Sequence, residues 1–158
     1  MTGLFRESPI SQVTVVPAHP SEYAAVRALI IQGLTARWGS YVESVNSDLL
    51  DFAKCYQQAV ILVAKIDATV IGCGILMKES NAVGRIVRMT VRADYQRSGV
   101  GGNLMAALVR SAKLAGYLEV QLETTATWQS AVAFCSSCGF VPVKVENGDQ
   151  HYRLVIVD

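Results

Sequence analysis

In the first third of the chain, a short apolar run is followed by a longer stretch in which apolar residues recur at helical spacing. Val13–Val16 is a β-branched run that stops at a proline, and it predicts a first strand. From Tyr23 to Leu34 apolar residues recur at helical spacing, which indicates a helix that starts near Pro20. The stripe breaks at 38–41, where we expect a loop, and Ser47 can cap a second, short helix.

The rest of the chain indicates two further helices and six further strands. The helices, 99–115 and 131–138, are each followed by glycine, a residue that commonly ends helices. Asn147-Gly148 predicts a tight hairpin turn before the last strand. The strands are expected at 59–65, 69–77, 86–91, 118–123, 141–145 and 152–157.

The order of these elements predicts a mixed sheet. The strand, helix and strand between Ile86 and Glu123 require one parallel pairing with a right-handed crossover. The other neighbours can pair antiparallel through short connections, so the expected class is α+β, with a mostly antiparallel central sheet and four helices. At 158 residues the chain fits one domain, 1–158, with residues 1–11 as a loose lead-in.

Composition narrows the classes of function. The net charge is +1, whereas a nucleic-acid binder needs a clustered basic face, so nucleic acid is not an expected partner. No run approaches the roughly 18 consecutive apolar residues of a membrane span, and the start lacks the pattern of a secretion signal. Four cysteines without a signal are typical of reduced thiols, so we expect a cytoplasmic protein. With 51% hydrophobic residues, the chain can offer an apolar surface for a homodimer.

Three glycines stand where the strand ending at Val91 leads into the next helix: Gly99, Gly101 and Gly102. Each costs a helix about 1 kcal/mol relative to alanine, so together they indicate a geometric need. The first N–H groups of a helix are unpaired and lie at the positive end of its dipole, where anions bind, and Arg97 can add a charge-assisted bond. A connection used only for tight packing is the alternative. Leu104 stands where the dinucleotide fingerprint needs its last glycine, and G-K-[ST] is absent, so a phosphate site of another kind remains.

The segment 96–101, Q-R-S-G-V-G, matches the [RQ]-x-x-G-x-[GA] signature of the GNAT superfamily of N-acetyltransferases. The resemblance extends from Val13 to Val157. Val87–Val91 resembles the family's bulged strand, and Ala131–Phe140 is similar to its late A-x-x-x-[YF]-x-x-x-G-F helix end. Residues 84–89 and 122–125 are most similar to small bacterial acetyltransferases, including those acting on cysteine conjugates or other amino-acid-like amines.

The resemblance implies a GNAT-like fold with a splayed parallel pair, and acetyl-CoA as the cofactor. The arm of the cofactor is expected to pair with the backbone of Met89, Thr90 and Val91. Trp128, Ala131, Phe134 and Cys135 are expected to flank its thiol end. The pyrophosphate is expected on the loop and helix start formed by Gln96, Arg97, Ser98, Gly99, Val100, Gly101, Gly102 and Asn103.

The reaction implied is direct attack of a neutral amine on the thioester in a ternary complex. A backbone N–H near Met89 is the expected oxyanion donor. Glu123 is our first choice of base, while His151 beside the last hairpin is interpreted as a surface residue. Where the family often has a tyrosine acid, this chain has Cys135. Cys135 can act as the acid or relay the acetyl group covalently, or it has no role in proton transfer and the thiolate departs unaided. The plain interpretation is that Cys135 is a small buried residue that packs the helix.

The acceptor site is the least specified part of the sequence. Arg85 and Arg88 can meet a substrate carboxylate if either reaches the cleft. Trp38, Tyr41 and Glu43 follow the first helix, where the family builds its acceptor lid, and loop anchoring is their ordinary explanation. No metal is expected. A zinc site needs four ligands, and the cysteines and histidines that could complete the one C-x-x-C pair are scattered along the chain. We expect a small-molecule amine as acceptor. A protein or peptide N-terminus, a lysine, or a non-catalytic CoA-binding sensor are the alternatives.

Overall fold

Residues 12–157 are described by the computed structural model. The strands are β1 (Val13–Pro17), β2 (Val60–Ile66), β3 (Thr69–Lys78), β4 (Val83–Val91), β5 (Glu119–Thr125), β6 (Val141–Glu146) and β7 (Asp149–Val155). The helices are α1 (Tyr23–Trp38), α2 (Phe52–Cys55), α3 (Val100–Leu114) and α4 (Gln129–Ser137). Single turns of 3-10 helix occur at Pro20–Glu22, Glu43–Val45, Ser47–Leu49 and Ala93–Tyr95.

All seven strands join one sheet in the order β1-β2-β3-β4-β5-β7-β6. The pairing of β4 with β5 is parallel and every other described pairing is antiparallel, which confirms the expected fold class. β4 and β5 are in register only at Val83 with Glu119, Gly84 with Val120 and Arg85 with Gln121. Beyond Arg85 the two strands diverge, so the sheet opens at its middle.

Helices cover the two faces of the sheet unequally. On one face α3 packs Leu104, Leu108 and other residues against strands from both halves of the sheet. On the other face α1 and α2 build a second core with β2, β3 and β4, and no described residue of β5, β6 or β7 belongs to it. The second face of the β5–β7–β6 half therefore keeps polar side chains.

Close helix packing brings α1 and α3 down onto the sheet where β4 opens. A Cβ added at Gly74 of β3 would lie 2.6 Å from Leu108 of α3. A Cβ added at Gly33 of α1 would lie 2.8 Å from the Thr90 hydroxyl of β4. A Cβ at either position would require the Leu108 or the Thr90 side chain to shift, so both glycines allow close packing of helix on strand beside the opening.

Several predicted boundaries were wrong. The segment after Ser47 is a 3-10 turn followed by the single-turn helix α2, because Leu49 is fully buried there and Asp48 is held by a distant arginine. α1 continues through Trp38 and ends at Gly39, whose φ is +79°. β4 and β7 each start three residues earlier than expected. The expected lead-in, 1–11, lies outside the described residues. The prediction that 1–158 form one domain stays a prediction.

No helix in residues 12–157 combines the length and the apolar character needed to cross a membrane.

Candidate functional site

The opening of the sheet is set by a bulge in β4. Cys73 of β3 pairs with Thr90 and Ile75 pairs with Val87, so Arg88 and Met89 both stand opposite Gly74. Two residues facing one is the arrangement of a β-bulge, which increases local twist. Since pairing with β5 has already ended at Arg85, Met89–Val91 lie on the open arm of the strand. The structure therefore brings the three predicted arm-binding residues to the edge of the opening.

The connection from β4 to α3 folds back on itself through two residues in left-handed conformation. Arg97 has φ +62° and Gly99, the N-cap of α3, has φ +91°. The Gln96 side chain donates to Val91 O at 3.0 Å, and Ser98 Oγ donates to the Tyr95 carbonyl. The side chains of Gln96 and Ser98 thus hold the loop itself. The Gln96 N–H donates to Ala93 O at 3.4 Å, and the N–H groups of 97–99 have no hydrogen-bond partner within residues 12–157 and remain for a ligand.

The first turn of α3 fits an anion. No side chain in residues 12–157 caps this helix end, so the N–H groups of Val100, Gly101 and Gly102 lack a side-chain partner. Asn103 N–H makes the first intrahelical bond, to Gly99 O at 3.1 Å. The free donors and the positive end of the helix dipole favour a phosphate at this place.

The glycines at this helix end have different roles. Gly99 needs its left-handed backbone, which residues with a Cβ rarely adopt. A Cβ at Gly101 would lie 3.4 Å from the Phe134 ring, so Gly101 lets α4 approach. A Cβ at Gly102 would meet no described atom within 4 Å. Tight packing therefore accounts for Gly101 and leaves Gly102 unexplained.

α4 brings its aromatic and thiol side chains towards the same end of α3. Phe134 packs against Gly101 and the main core, and Ala131 is half-buried on the same helix. Burial, and to a smaller extent the neighbouring Cys138, raise the pKa of the Cys135 thiol to about 11. Cys135 is therefore a neutral thiol at physiological pH.

Polar side chains line the uncovered half of the sheet beside the opening. Glu123 Oε2 lies 3.2 Å from His151 Nδ1 and 3.6 Å from Arg85 Nη1. Glu123 is two residues past Gln121, the last β5 residue paired with β4, so it also lies on an open arm. His151 is more enclosed than the surface position expected for it, with its side chain 21% exposed. A cavity of about 500 Å³ is lined by Arg85, Glu119, Gln121, Leu122, Val143, Lys144, Glu146, His151, Tyr152 and Arg153.

Arg88 turns to the opposite side from Met89, towards the segment between α1 and α2. Its Nη2 donates to Asp48 Oδ1 at 2.7 Å and to Asn46 Oδ1 at 3.0 Å, and its Nε donates to Asp48 Oδ2 at 3.0 Å. Tyr56 OH donates to the same carboxylate at 2.5 Å. Two of the three guanidinium nitrogens already have protein partners, whereas a substrate carboxylate would need free ones.

Cation–π contacts of Arg37 with Trp38 and Trp128 connect α1 to the loop before α4. The Arg37 guanidinium carbon lies 3.5 Å from the centre of the Trp128 ring and 4.6 Å from that of Trp38. Burial lowers the pKa of Arg37, and Asp149 opposes this change. Trp38 and Trp128 are exposed, so they do not belong to the core.

Tyr41 and Glu43, the other two predicted lid residues, differ in burial. Tyr41 packs on the α1–α2 core, and its hydroxyl is buried without a hydrogen-bond partner in the part of the chain that the structure describes. Glu43 is exposed in a single 3-10 turn. A buried hydroxyl without a partner costs about 1–3 kcal/mol, so Tyr41 is the better candidate for a ligand contact.

Sequence reasoning missed Asp48, Asn46, Tyr56 and Arg37. The first three lie more than 30 residues before Arg88, and nothing in their spacing marks them as its partners. Arg37 carried a weak signal, because it directly precedes an exposed tryptophan at the end of a helix. Among residues 12–157, no group of three or more His, Cys, Asp and Glu side chains is arranged to hold a metal ion.

A match to a protein-family model identifies the family of this chain. The model of the Acetyltransferase (GNAT) family matches residues 26–140, which include β4, the glycine loop and α4. The chain belongs to the GNAT acetyltransferase family. It is an acyl-CoA-dependent acetyltransferase, and acetyl-CoA is its cofactor.

Relatives of this GNAT enzyme are distant in sequence and close in fold. The IAA acetyltransferase of Azospirillum brasilense is 27% identical over 130 residues, which cover 81% of this chain and 84% of that protein. A GNAT-family acetyltransferase of Staphylococcus aureus Mu50 superposes with a TM-score of 0.80 at 16% identity, covering 90% of this chain and 98% of the other. PaiA N-acetyltransferase of Thermoplasma acidophilum, solved with coenzyme A, gives 0.76 at 16% identity, with 91% and 99% covered.

Two observations test whether this GNAT chain fits coenzyme A. The uncapped start of α3, with open space over Gly102, fits a pyrophosphate. The diverging arms of β4 and β5 leave backbone edges that an extended arm can join as an added strand. Both features lie at the same end of β4, so the residues present fit the cofactor.

Proposed function

We propose that this GNAT acetyltransferase transfers the acetyl group to the primary amine of a small molecule, by direct attack in a ternary complex. The observation that carries the proposal is the cluster of Glu123 on β5, His151 on β7 and Arg85 on β4, of which Arg85 and His151 line a cavity of about 500 Å³. Small-molecule sites commonly have volumes of about 300–1,000 Å³ with a few convergent polar groups. A catalytic amine site is therefore favoured over a sensor that only binds coenzyme A.

When bound, acetyl-CoA supplies an activated thioester carbonyl. We assign its pyrophosphate to the N–H groups from Arg97 to Gly102 and its arm to the backbone of Met89, Thr90 and Val91. The Met89 N–H, which belongs to the bulge, would donate to the carbonyl oxygen, where negative charge would develop during attack. Phe134 and Trp128 border the thiol end of the arm.

Glu123 is the proposed base. An alkyl amine with a pKa near that of lysine, about 10.4, is almost fully protonated at neutral pH and must lose a proton before it attacks. Glu123 can accept this proton directly or through one water, because its carboxylate is partly exposed on the open arm. His151 and Arg85 keep the carboxylate oriented by contacts at 3.2 and 3.6 Å.

For the acceptor we propose an amine that also carries a carboxylate. Arg85 is the better of the two predicted arginines because it lines the cavity. Its guanidinium is itself paired with Glu79 at 3.0 Å and with Glu123 at 3.6 Å, so a substrate carboxylate would have to replace one of these partners. A guanidinium gives a carboxylate two parallel hydrogen bonds, which supports selection of an amino-acid-like substrate. Tyr41, with its unpaired hydroxyl, and Trp38 and Glu43 are proposed to border the acceptor on the α1 side.

We further propose that the chain works in the cytoplasm as a homodimer of one-domain subunits. β6 ends the sheet, and all six of its residues are exposed, including Val141, Val143 and Val145. An exposed apolar edge strand is a template for pairing with another strand. A two-fold antiparallel pairing centred on Val145 would place Lys144 of each copy opposite Glu146 of the other, so the edge is complementary in charge to itself.

The proposal is tested by release of the coenzyme A thiol across a panel of amines with and without a carboxylate, including a peptide with a free N-terminus. With the best amine, Glu123→Gln is expected to lower kcat/KM by about 10²- to 10⁴-fold, the usual contribution of a general base. The deficit should shrink as the pH approaches the pKa of the amine, because the free amine no longer needs the base.

Glu22→Gln is the matched control, since Glu22 has an ion pair with Lys65 at 2.7 Å on another part of the sheet and should keep full activity. An enzyme that responds to no amine while binding acetyl-CoA would favour the sensor. Turnover only with the peptide would favour a peptide acceptor. An unchanged rate in Glu123→Gln would remove Glu123 from its role.

A further inference from the structure

Arg88 has a backbone conformation that its side chain does not favour. Its φ is +53°, and among the described residues it is the only non-glycine inside a strand with a positive φ. Asp67 and Asn147 have similar values but stand in tight turns, where aspartate and asparagine are well tolerated. An arginine has no such local preference, so contacts elsewhere must hold this residue in place.

The contacts that hold Arg88 come from both its side chain and its backbone. The guanidinium forms two parallel hydrogen bonds with Asp48, at 3.0 and 2.7 Å, and the side chains of both residues are only about a fifth to a quarter exposed. The thiol of Cys73 donates to the Arg88 carbonyl at 3.5 Å. Bidentate geometry fixes direction as well as distance, so Asp48 restricts the whole side chain of Arg88.

Tyr56 strengthens the same ion pair. Burial alone would raise the pKa of Asp48, but hydrogen bonds from Arg88 and then Tyr56 outweigh it and hold that pKa below its ordinary value. Burial and the contact with Asp48 both raise the pKa of Tyr56, which therefore stays a neutral hydrogen-bond donor. The carboxylate is thus charged and fully engaged at any pH at which the enzyme works.

We propose that Asp48 and Arg88 are positioning residues for acetyl transfer. Their ion pair holds Arg88 left-handed, and this conformation forms the bulge that directs the next N–H, that of Met89, into the opening between β4 and β5. The inference rests on the proposed function, in which the Met89 N–H donates to the thioester oxygen. Asp48 belongs to the segment between α1 and α2, so the acceptor side of the molecule supports the cofactor strand through one ion pair.

A comparison of two substitutions at position 88 separates backbone positioning from other roles. Arg88→Ala removes the anchor and retains a Cβ, which disfavours the left-handed conformation, so kcat should fall about tenfold. Arg88→Gly removes the same anchor but adopts positive φ freely, so its kcat should return to within about threefold of the wild type. The KM for acetyl-CoA should change less than about twofold in both, because the phosphate loop is unaltered.

Asp48→Asn extends the test without changing position 88. It keeps the shape of the side chain and loses the charge, so kcat should fall in the same direction as in Arg88→Ala. Glu22→Gln again serves as the control, because its ion pair with Lys65 is similarly enclosed, at 16% and 22% exposure, and lies away from the bulge. Thermal unfolding of each variant checks that it is folded at the assay temperature.

Three results would overturn the inference. Equal losses in Arg88→Ala and Arg88→Gly would mean that the side chain itself is needed. A rise confined to the KM of a carboxylate-bearing amine would make Arg88 a substrate residue. A loss in Glu22→Gln as large as in Asp48→Asn would make the effect one of general stability.

The failure of the proposed function is distinguishable from the failure of this inference. If no amine is a substrate, the wild type itself does not turn over, and the kinetic comparison gives way to the ¹H–¹⁵N resonance of Met89 in the free protein. That resonance should shift in Asp48→Asn, which leaves position 88 unchanged, and stay in place in Glu22→Gln. An unshifted Met89 resonance in Asp48→Asn would show that the ion pair does not set the bulge.

Discussion

At the scale of single residues, the protonation state of Cys135 decides which of its three predicted roles is best supported. Its raised pKa, about 11, comes from burial and then from the neighbouring Cys138. At pH 8 the thiolate fraction of such a group is on the order of one in a thousand, and the thiolate is the nucleophilic form. Of the three roles open to this residue in the sequence, the covalent relay is therefore the least supported.

Mass spectrometry tests the relay directly. After incubation with acetyl-CoA alone at pH 8, we expect no acetyl adduct on Cys135, because so little of its thiol is ionised. Iodoacetamide at the same pH should label the exposed Cys55 first and leave Cys135 unmodified for much longer. The label should be absent from Cys55→Ser, which serves as the control. An acetyl adduct that Cys135→Ala lacks would contradict this prediction.

Residue identities were predictable where the chain is locally constrained. Gln96 to Asn103 form a contiguous segment whose glycines need unusual backbone geometry or close approach, so the sequence alone located the loop. The partners of Arg88 were not predictable, since Asp48 reaches it across 40 positions and only the folded sheet brings them together. His151 was misjudged for a related reason, because its enclosure comes from the neighbouring strands and not from its own turn.

At the scale of elements, the long helix α3 was predicted almost to its ends, while the single turn α2 was not. A helix of 15 residues carries a full apolar stripe and ends near a glycine, so its signal accumulates along the chain. A four-residue helix has no such stripe, and its place depends on the burial of Leu49 and Phe52 against α1 and the sheet. Tertiary packing therefore decides the short element.

The start of α3 offers a test of why glycine stands at position 102. Gly102→Ala places a methyl group where no described atom lies within 4 Å, and it improves helix propensity, so the free energy of unfolding should rise by up to about 1 kcal/mol. The same methyl group should obstruct a phosphate on the N–H groups and weaken coenzyme A binding about tenfold. Calorimetry for binding and chemical denaturation for stability measure the two effects.

The opposite signs of these effects make the result specific. Gly116→Ala is an unsuitable control, since Gly116 has φ +86°, so Ser111→Ala in the last turn of α3 is used. It should leave coenzyme A affinity unchanged. A Gly102→Ala variant that gains stability and keeps its affinity for coenzyme A would place the pyrophosphate elsewhere.

At the scale of the whole molecule, strand number and the one parallel pairing followed from the order of elements. The strand–helix–strand unit permits a single handedness, and short connections leave few other arrangements. The extent of the opening did not follow, because it depends on where pairing between β4 and β5 stops, at Arg85 and Gln121. That point lies just before the bulge at Arg88, where α1 packs on β4 through Gly33 and α3 packs on β3 through Gly74, and a pattern of apolar positions reports none of these features.

The sheet ends on one side in β1, whose last residue is proline, and on the other in β6, where Pro142 stands near the start and the stretch from Val143 to Glu146 contains no proline. If two copies pair through β6 about Val145, a lysine there would face its own copy across the axis. Val145→Lys should therefore shift the protein from dimer to monomer at micromolar concentration in light scattering coupled to size exclusion. Leu114→Lys removes a comparable exposed apolar side chain from the end of α3 and should leave the dimer intact. A wild type that stays monomeric at all concentrations, or a Val145→Lys variant that stays dimeric, would exclude this edge as the interface.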